Sequence, residues 1–127
     1  MSITPAQAAQ ELLTRQRAHE SLIDYCKYIT VPGEPIKADQ GDGDWIFEPV
    51  GSQTADHHKL LLDIIQKVID GHVPRAMLFL PPGSAKSTYG SVVAPTWAMG
   101  KYPGLKIILA SYGGDLAKKH GRKARSV

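Results

Sequence analysis

The stretch "FLPPGSAKSTYG", residues 79–90, decides how the rest of the chain is read. Ahead of it stands "RAMLFL", residues 75–80, whose short apolar run bounded by turn residues predicts a buried strand of the parallel kind. Pro81, Pro82 and Gly83 end that run. From Ser87 to Met99 the pattern predicts a helix, with a kink or break at Pro95, which lacks an N–H and crowds the preceding turn. A loop that leads into a helix start presents backbone N–H groups with no intrahelical partner, and the helix dipole favours an anion there. Gly83 can take a left-handed conformation, so consecutive amides can converge on a phosphate. Lys86 would then reach the β- and γ-phosphates, and the Ser87 hydroxyl would ligate Mg²⁺. The same residues also fit a plain Pro-Pro-Gly turn carrying an exposed lysine.

The phosphate-loop pattern is Gly, four residues, Gly, Lys, then Ser or Thr. Leu80 and Ala85 occupy its two glycine positions here, so the match fails as a strict pattern. Ala85 adds one methyl group, harmless at negative φ and costing about 1–2 kcal/mol at positive φ.

On the N-terminal side, residues 4–29 predict one helix, with Thr4 as cap, Pro5 at the first helical position and Gln7 completing a capping box. Leu12, Leu22, Ile23, Cys26 and Ile29 give it a partial apolar stripe. "VPGEPIKADQGDGDW" predicts an irregular connector. Asp39, Asp42 and Asp44 within it miss the spacing of a calcium loop and lack the closing Glu, which favours a solvated loop. Residues 54–70 predict a helix from Leu61, Ile64, Ile65 and Val68, ended by Gly71. On the C-terminal side, "YPG" (102–104) is a turn, "LKIILAS" (105–111) predicts a second buried strand, and residues 115–126 predict a basic helix. Strand, helix, strand at this spacing is a βαβ unit with a right-handed crossover.

The chain has 127 residues and a net charge of +3, enough for one modest domain and too well mixed for wholesale disorder. Residues 117–127 hold five Lys/Arg and no acid, which suits either an anionic partner or a solvated face. Cys26 is the one cysteine, so a disulfide framework is excluded and a reducing compartment is expected. No signal-peptide pattern and no span-length apolar run occur.

"HHKLLLDIIQKVIDGHVPRAMLFLPPGSAKST" followed by "YPGLKIILASYGGDLAKKHGRKAR" resembles the ATPase domain of phage large terminases, the motors that package DNA into capsids. The matching residues are Arg75, Pro81, Pro82, Lys86 and Ser87, then Ala110, Ser111, Tyr112, Leu116 and Ala117, then Arg122 and Arg125. The resemblance covers about residues 45–127. The residue pattern leaves 1–44 as an N-terminal helix and irregular connector, and the resemblance implies 45–127 as a partial P-loop ATPase domain of α/β, RecA-like class with a parallel sheet. It further implies ATP and Mg²⁺ as cofactors and double-stranded DNA as substrate. The implied partners are the portal protein and the small terminase subunit, in a ring of subunits in the host cytoplasm.

Under that resemblance Pro82, Gly83, Ser84, Ala85, Lys86, Ser87 and Thr88 form the nucleotide site, with Lys86 catalytic and Ser87 on the metal. His57 and His58, which precede the helix leading to the first strand, are candidate adenine contacts or ordinary exposed helix-start residues. Arg122 and Arg125 are a candidate arginine finger, DNA-phosphate contacts, or a basic helix face. The acidic pair of a Walker B strand and the carboxylate cluster of a nuclease are not found in these residues. Catalysis by this chain alone is therefore not expected. Two other readings stay open: a truncated, non-catalytic prophage product acting as a DNA- or protein-interaction module, and a small nucleotide kinase.

Overall fold

Thr4 opens the first helix as its composition predicts. Its hydroxyl accepts from the Gln7 N–H (3.3 Å), and the Gln7 side chain accepts from the Thr4 N–H (2.9 Å), closing a capping box around Pro5. The computed structural model describes residues 3–35, 45–49 and 54–127. Helix α1 runs Pro5–Glu20 and α2 runs Leu22–Tyr28. The single helix expected over 4–29 is thus two. Ser21 leaves helical geometry (φ −125°, ψ 125°), ends α1, and caps α2 by accepting from the Asp24 N–H at 3.4 Å. Gln66 fixes this corner from outside: its amide donates to the Glu20 carbonyl (3.3 Å) and its oxygen accepts from the Leu22 N–H (2.9 Å).

Strands β1 (Thr30–Pro35) and β2 (Trp45–Pro49) pair antiparallel, Thr30 opposite Pro49, with a register shift between Pro32 and Pro35. The connector expected as irregular therefore contributes strand at both ends. Asp39, Asp42 and Asp44 lie outside the described residues. Helix α3 runs Asp56–Ile69. It ends in a Schellman motif: the Gly71 N–H (φ 81°) bonds to the Val68 carbonyl and the His72 N–H to the Lys67 carbonyl.

The helical stretch after the loop begins as a π-helix, Thr88–Val93, and continues as α4, Ala94–Lys101. The interruption foreseen at Pro95 takes this form. The proline offers no N–H and its ring crowds the carbonyl four residues back, so the turn before it widens and the Ala94 N–H bonds to Tyr89 instead. The Thr96 hydroxyl then donates to the Val93 carbonyl (2.8 Å), close to that of Val92 (3.2 Å). Helix α5 covers Gly114–Arg125 and packs against the π-helix, with Ala124 buried.

The parallel sheet of a RecA-like core is not formed. Among the described residues the molecule is mostly helical, and its sheet is the two-stranded antiparallel β1–β2 pair. Residues 75–80 and 106–111 make no backbone hydrogen bond among the described residues. A parallel strand is stable when a ladder pairs its backbone and both faces are covered. Here Leu78 and Leu80 pack on the core, while Met77 and Phe79 stand 82% and 85% exposed. The second segment leaves Ile108 91% exposed. The expected βαβ unit reduces to two segments without regular secondary structure on either side of the π-helix and α4.

The core gathers Leu22 and Cys26 of α2, Leu61 and Leu62 of α3, Tyr89, Val92 and Val93 of the π-helix, and Trp97 of α4. Burial pushes the Cys26 thiol up to about 12, so it stays protonated across the neutral range. The folded protein should leave an aromatic disulfide reagent unreacted at pH 8 over a period in which urea-unfolded chain reacts fully. Fast reaction without denaturant would place Cys26 outside the core.

Candidate phosphate-binding loop

Residues 80–88 enclose a concavity of about 330 Å³ lined by the loop itself. The Ser84 N–H turns back toward the Pro81 carbonyl at 3.4 Å, and Gly83 is left-handed at φ 80°. Ala85 is left-handed too, at φ 55°, the one non-glycine residue with positive φ among the described residues. Its carbonyl accepts the Tyr89 N–H (3.1 Å), so helical bonding begins immediately after it. The strained alternative for Ala85 is the one realised, and it stands where the phosphate-loop pattern has glycine.

Lys86 and Ser87 follow on the first helical turn, both exposed, as are Pro82, Gly83 and Ala85. Neither the Lys86 ammonium nor the Ser87 hydroxyl has a hydrogen bond or ion pair among the described residues, which leaves both available to a ligand. Thr88 is half-buried on the same turn. The Ser84 hydroxyl oxygen is shut off from solvent and has no hydrogen-bond partner. The loop can therefore offer backbone amides, one ammonium and one hydroxyl to a phosphate.

Among the described residues no group of three or more His, Cys, Asp or Glu is placed to hold a metal ion. A Mg²⁺ carried in with a nucleotide would rest on Ser87 and on the phosphate oxygens themselves.

His58 reaches the loop from α3. The Ala55 N–H donates to its Nδ1 (3.2 Å), so the ring proton sits on Nε2, which lies 2.9 Å from the Ser84 carbonyl and donates to it. The ring lies 4.8 Å from that of Tyr89 and 3.9 Å from that of His57. Tyr89 is buried and hydrogen-bonds Thr54. The start of α3, the loop and the π-helix are thus joined through one imidazole. Nothing local in the sequence announces this, because His58 and Ser84 stand 26 residues apart.

Arg122 and Arg125 are placed elsewhere. With Lys118 and Gly121 they line a separate concavity on α5, in which no loop residue takes part. On the same helix His120 is held below its ordinary value by burial first and by Lys123 and Lys119 after it, and its Nδ1 is buried without a partner. A second polar cluster went unread in the sequence. Asp70, at the end of α3, accepts from the Lys101 ammonium (2.8 Å) and the Tyr102 hydroxyl (2.7 Å).

No described helix is long and apolar enough to cross a membrane. No protein family, curated protein or solved structure matches the chain.

Proposed function

We propose that the chain binds ATP with Mg²⁺ through residues 82–88, as the N-terminal segment of a large-terminase ATPase that packages double-stranded DNA. The observation that carries this reading is Ala85 at φ 55° between Ser84 and the exposed Lys86. A left-handed alanine costs about 1–2 kcal/mol, and such strain persists where neighbouring contacts fix a geometry that a site requires. Here the strain opens a helix start whose first side chains are an ammonium and a hydroxyl without partners. The reading rests on the loop and on the terminase resemblance, and a parallel sheet forms no part of it. DNA, the portal protein, the small subunit and a ring assembly follow from the resemblance alone.

The test compares ATP·Mg²⁺ affinity of the wild type and Lys86→Ala by titration calorimetry. Removing the ammonium should weaken binding by at least about tenfold, the share of one charge-assisted contact, while leaving the far-ultraviolet circular dichroism unchanged. Equal affinities would remove the phosphate reading.

The concavity shared by Lys118, Arg122 and Arg125 supports a second reading, an interaction module without catalysis. These residues recur on one helical face and suit a phosphate backbone. Under this reading ATP would leave the chain unaffected, and DNA affinity would fall steeply with salt.

A further inference from the structure

Ala85 has no intrinsic reason to be left-handed, so something outside the residue must hold it there. The Ser84 carbonyl and the Ala85 N–H belong to one trans peptide and point in opposite directions. Turning that peptide plane over would exchange the two directions and return Ala85 to negative φ, relieving its strain. One side-chain hydrogen bond opposes the turn: the one from His58 Nε2–H to the Ser84 carbonyl, at 2.9 Å. The imidazole is itself fixed, by the Ala55 N–H on Nδ1 and by its seat between His57 and Tyr89.

We propose that His58 is the positioning residue of the loop: by holding the Ser84 carbonyl against α3 it keeps Ala85 left-handed and its N–H turned away from α3, available to a bound phosphate. This rests on the phosphate-binding reading for its functional consequence, but the structural half stands without it. His58 acts through the peptide and touches no ligand in this role. Its effect should therefore depend on the residue at 85, since glycine takes positive φ without strain.

The structural half is tested in the ligand-free, isotope-labelled chain by the intraresidue amide-to-Hα Overhauser effect of Ala85, strong at positive φ and weak at negative φ. It should be strong in the wild type, weak in His58→Phe, which keeps a ring beside Tyr89 but has no donor, and strong again in His58→Gln. Glutamine at this helix position can accept from the Ala55 N–H, and its amide can donate to Ser84. A strong effect in a folded His58→Phe protein, or a weak one in the wild type, overturns the proposal. If His58→Phe fails to fold, the ring proton of wild-type His58 decides: on Nε2 it supports the proposal, on Nδ1 it overturns it.

The functional half is read from ATP·Mg²⁺ affinity. His58→Phe should bind about tenfold more weakly, the equivalent of the left-handed strain, and His58→Gln within about threefold of wild type. With Ala85→Gly in both backgrounds, the His58→Phe loss should shrink to less than about threefold. An undiminished loss would show that His58 acts by another route. If wild type and Lys86→Ala bind equally, the phosphate reading fails, while the Overhauser measurement still judges His58.

Discussion

Trp97→Ala should lower the stability of the fold by about 4 kcal/mol, the usual cost of emptying a large aromatic site in a core. That is a large part of the 5–15 kcal/mol that holds a domain of this size together. Trp97 is 2% exposed and belongs to α4, the helix that packs against α1, α2 and α3. Its indole N–H donates to the Ala18 carbonyl at 3.0 Å, and the Lys101 ammonium stands 4.6 Å from its ring centre. Truncation therefore opens a cavity and also leaves a buried carbonyl without its donor. Trp97→Phe separates the two effects. It keeps most of the apolar volume and loses the donor, and should cost about 1–2 kcal/mol. Urea unfolding followed by circular dichroism measures both. A loss under about 1 kcal/mol for the alanine variant would mean that the helices do not converge on this ring.

Asp70→Asn should cost about 2 kcal/mol near neutral pH, because it leaves the Lys101 ammonium without its counter-ion in a poorly solvated place. The two side chains are only 15% and 19% exposed. Desolvation works against ionisation of Asp70, but donors from Lys101, Tyr102 and Gln66 outweigh it and hold the carboxyl below its ordinary value. The Asp70 hydrogen bond in turn raises Lys101 against a smaller opposing desolvation. A depressed folded-state carboxyl contributes stability above its unfolded value of about 3.9, and loses it as pH falls through the folded value. A raised lysine contributes below its unfolded value of about 10.4, and loses it as pH rises through the folded value. The pair thus contributes fully across the neutral range. The gap between wild type and Asp70→Asn in urea midpoint should be widest there and narrow as pH drops below about 4. A gap that does not change with pH would assign the cost to packing.

What the sequence made legible was local. The capping box at Thr4 and Gln7, the apolar spacing of α3, the glycine stop at Gly71 and the turn at 81–84 each depend on residues a few positions apart. The division at Ser21 was also written locally, as a cap-forming Ser three residues before Asp24, but the apolar stripe running past it hid the signal. The two strands were misread for a different reason. Residues 75–80 have strand composition, yet a strand exists only through a neighbour, and composition cannot say whether one is there. The hydrogen bonds of His58 to Ser84 and of Lys101 to Asp70 were likewise out of reach, since each depends on how separate helices pack. Position 85 was legible as a question: alanine where glycine belongs matters only once φ is known, and φ is 55°.

The span of the contacts that close the core has a bearing on how the chain is made. Trp97 and Ala18 stand 79 residues apart, and Lys101 and Glu20 stand 81 apart. A helical protein with mainly local contacts can begin packing as soon as each helix is synthesised. Here α1 and α2 can pack on each other at once, but the seat of Trp97 against α1 must wait for α4. At about 5–20 residues per second, the ribosome leaves the first helices without that partner for roughly 4–16 s. Leu22 and Cys26, fully covered in the finished fold, are open to solvent for part of that interval. The apolar faces of the first two helices therefore stay uncovered until α4 has been made, although the completed molecule hides the residues concerned.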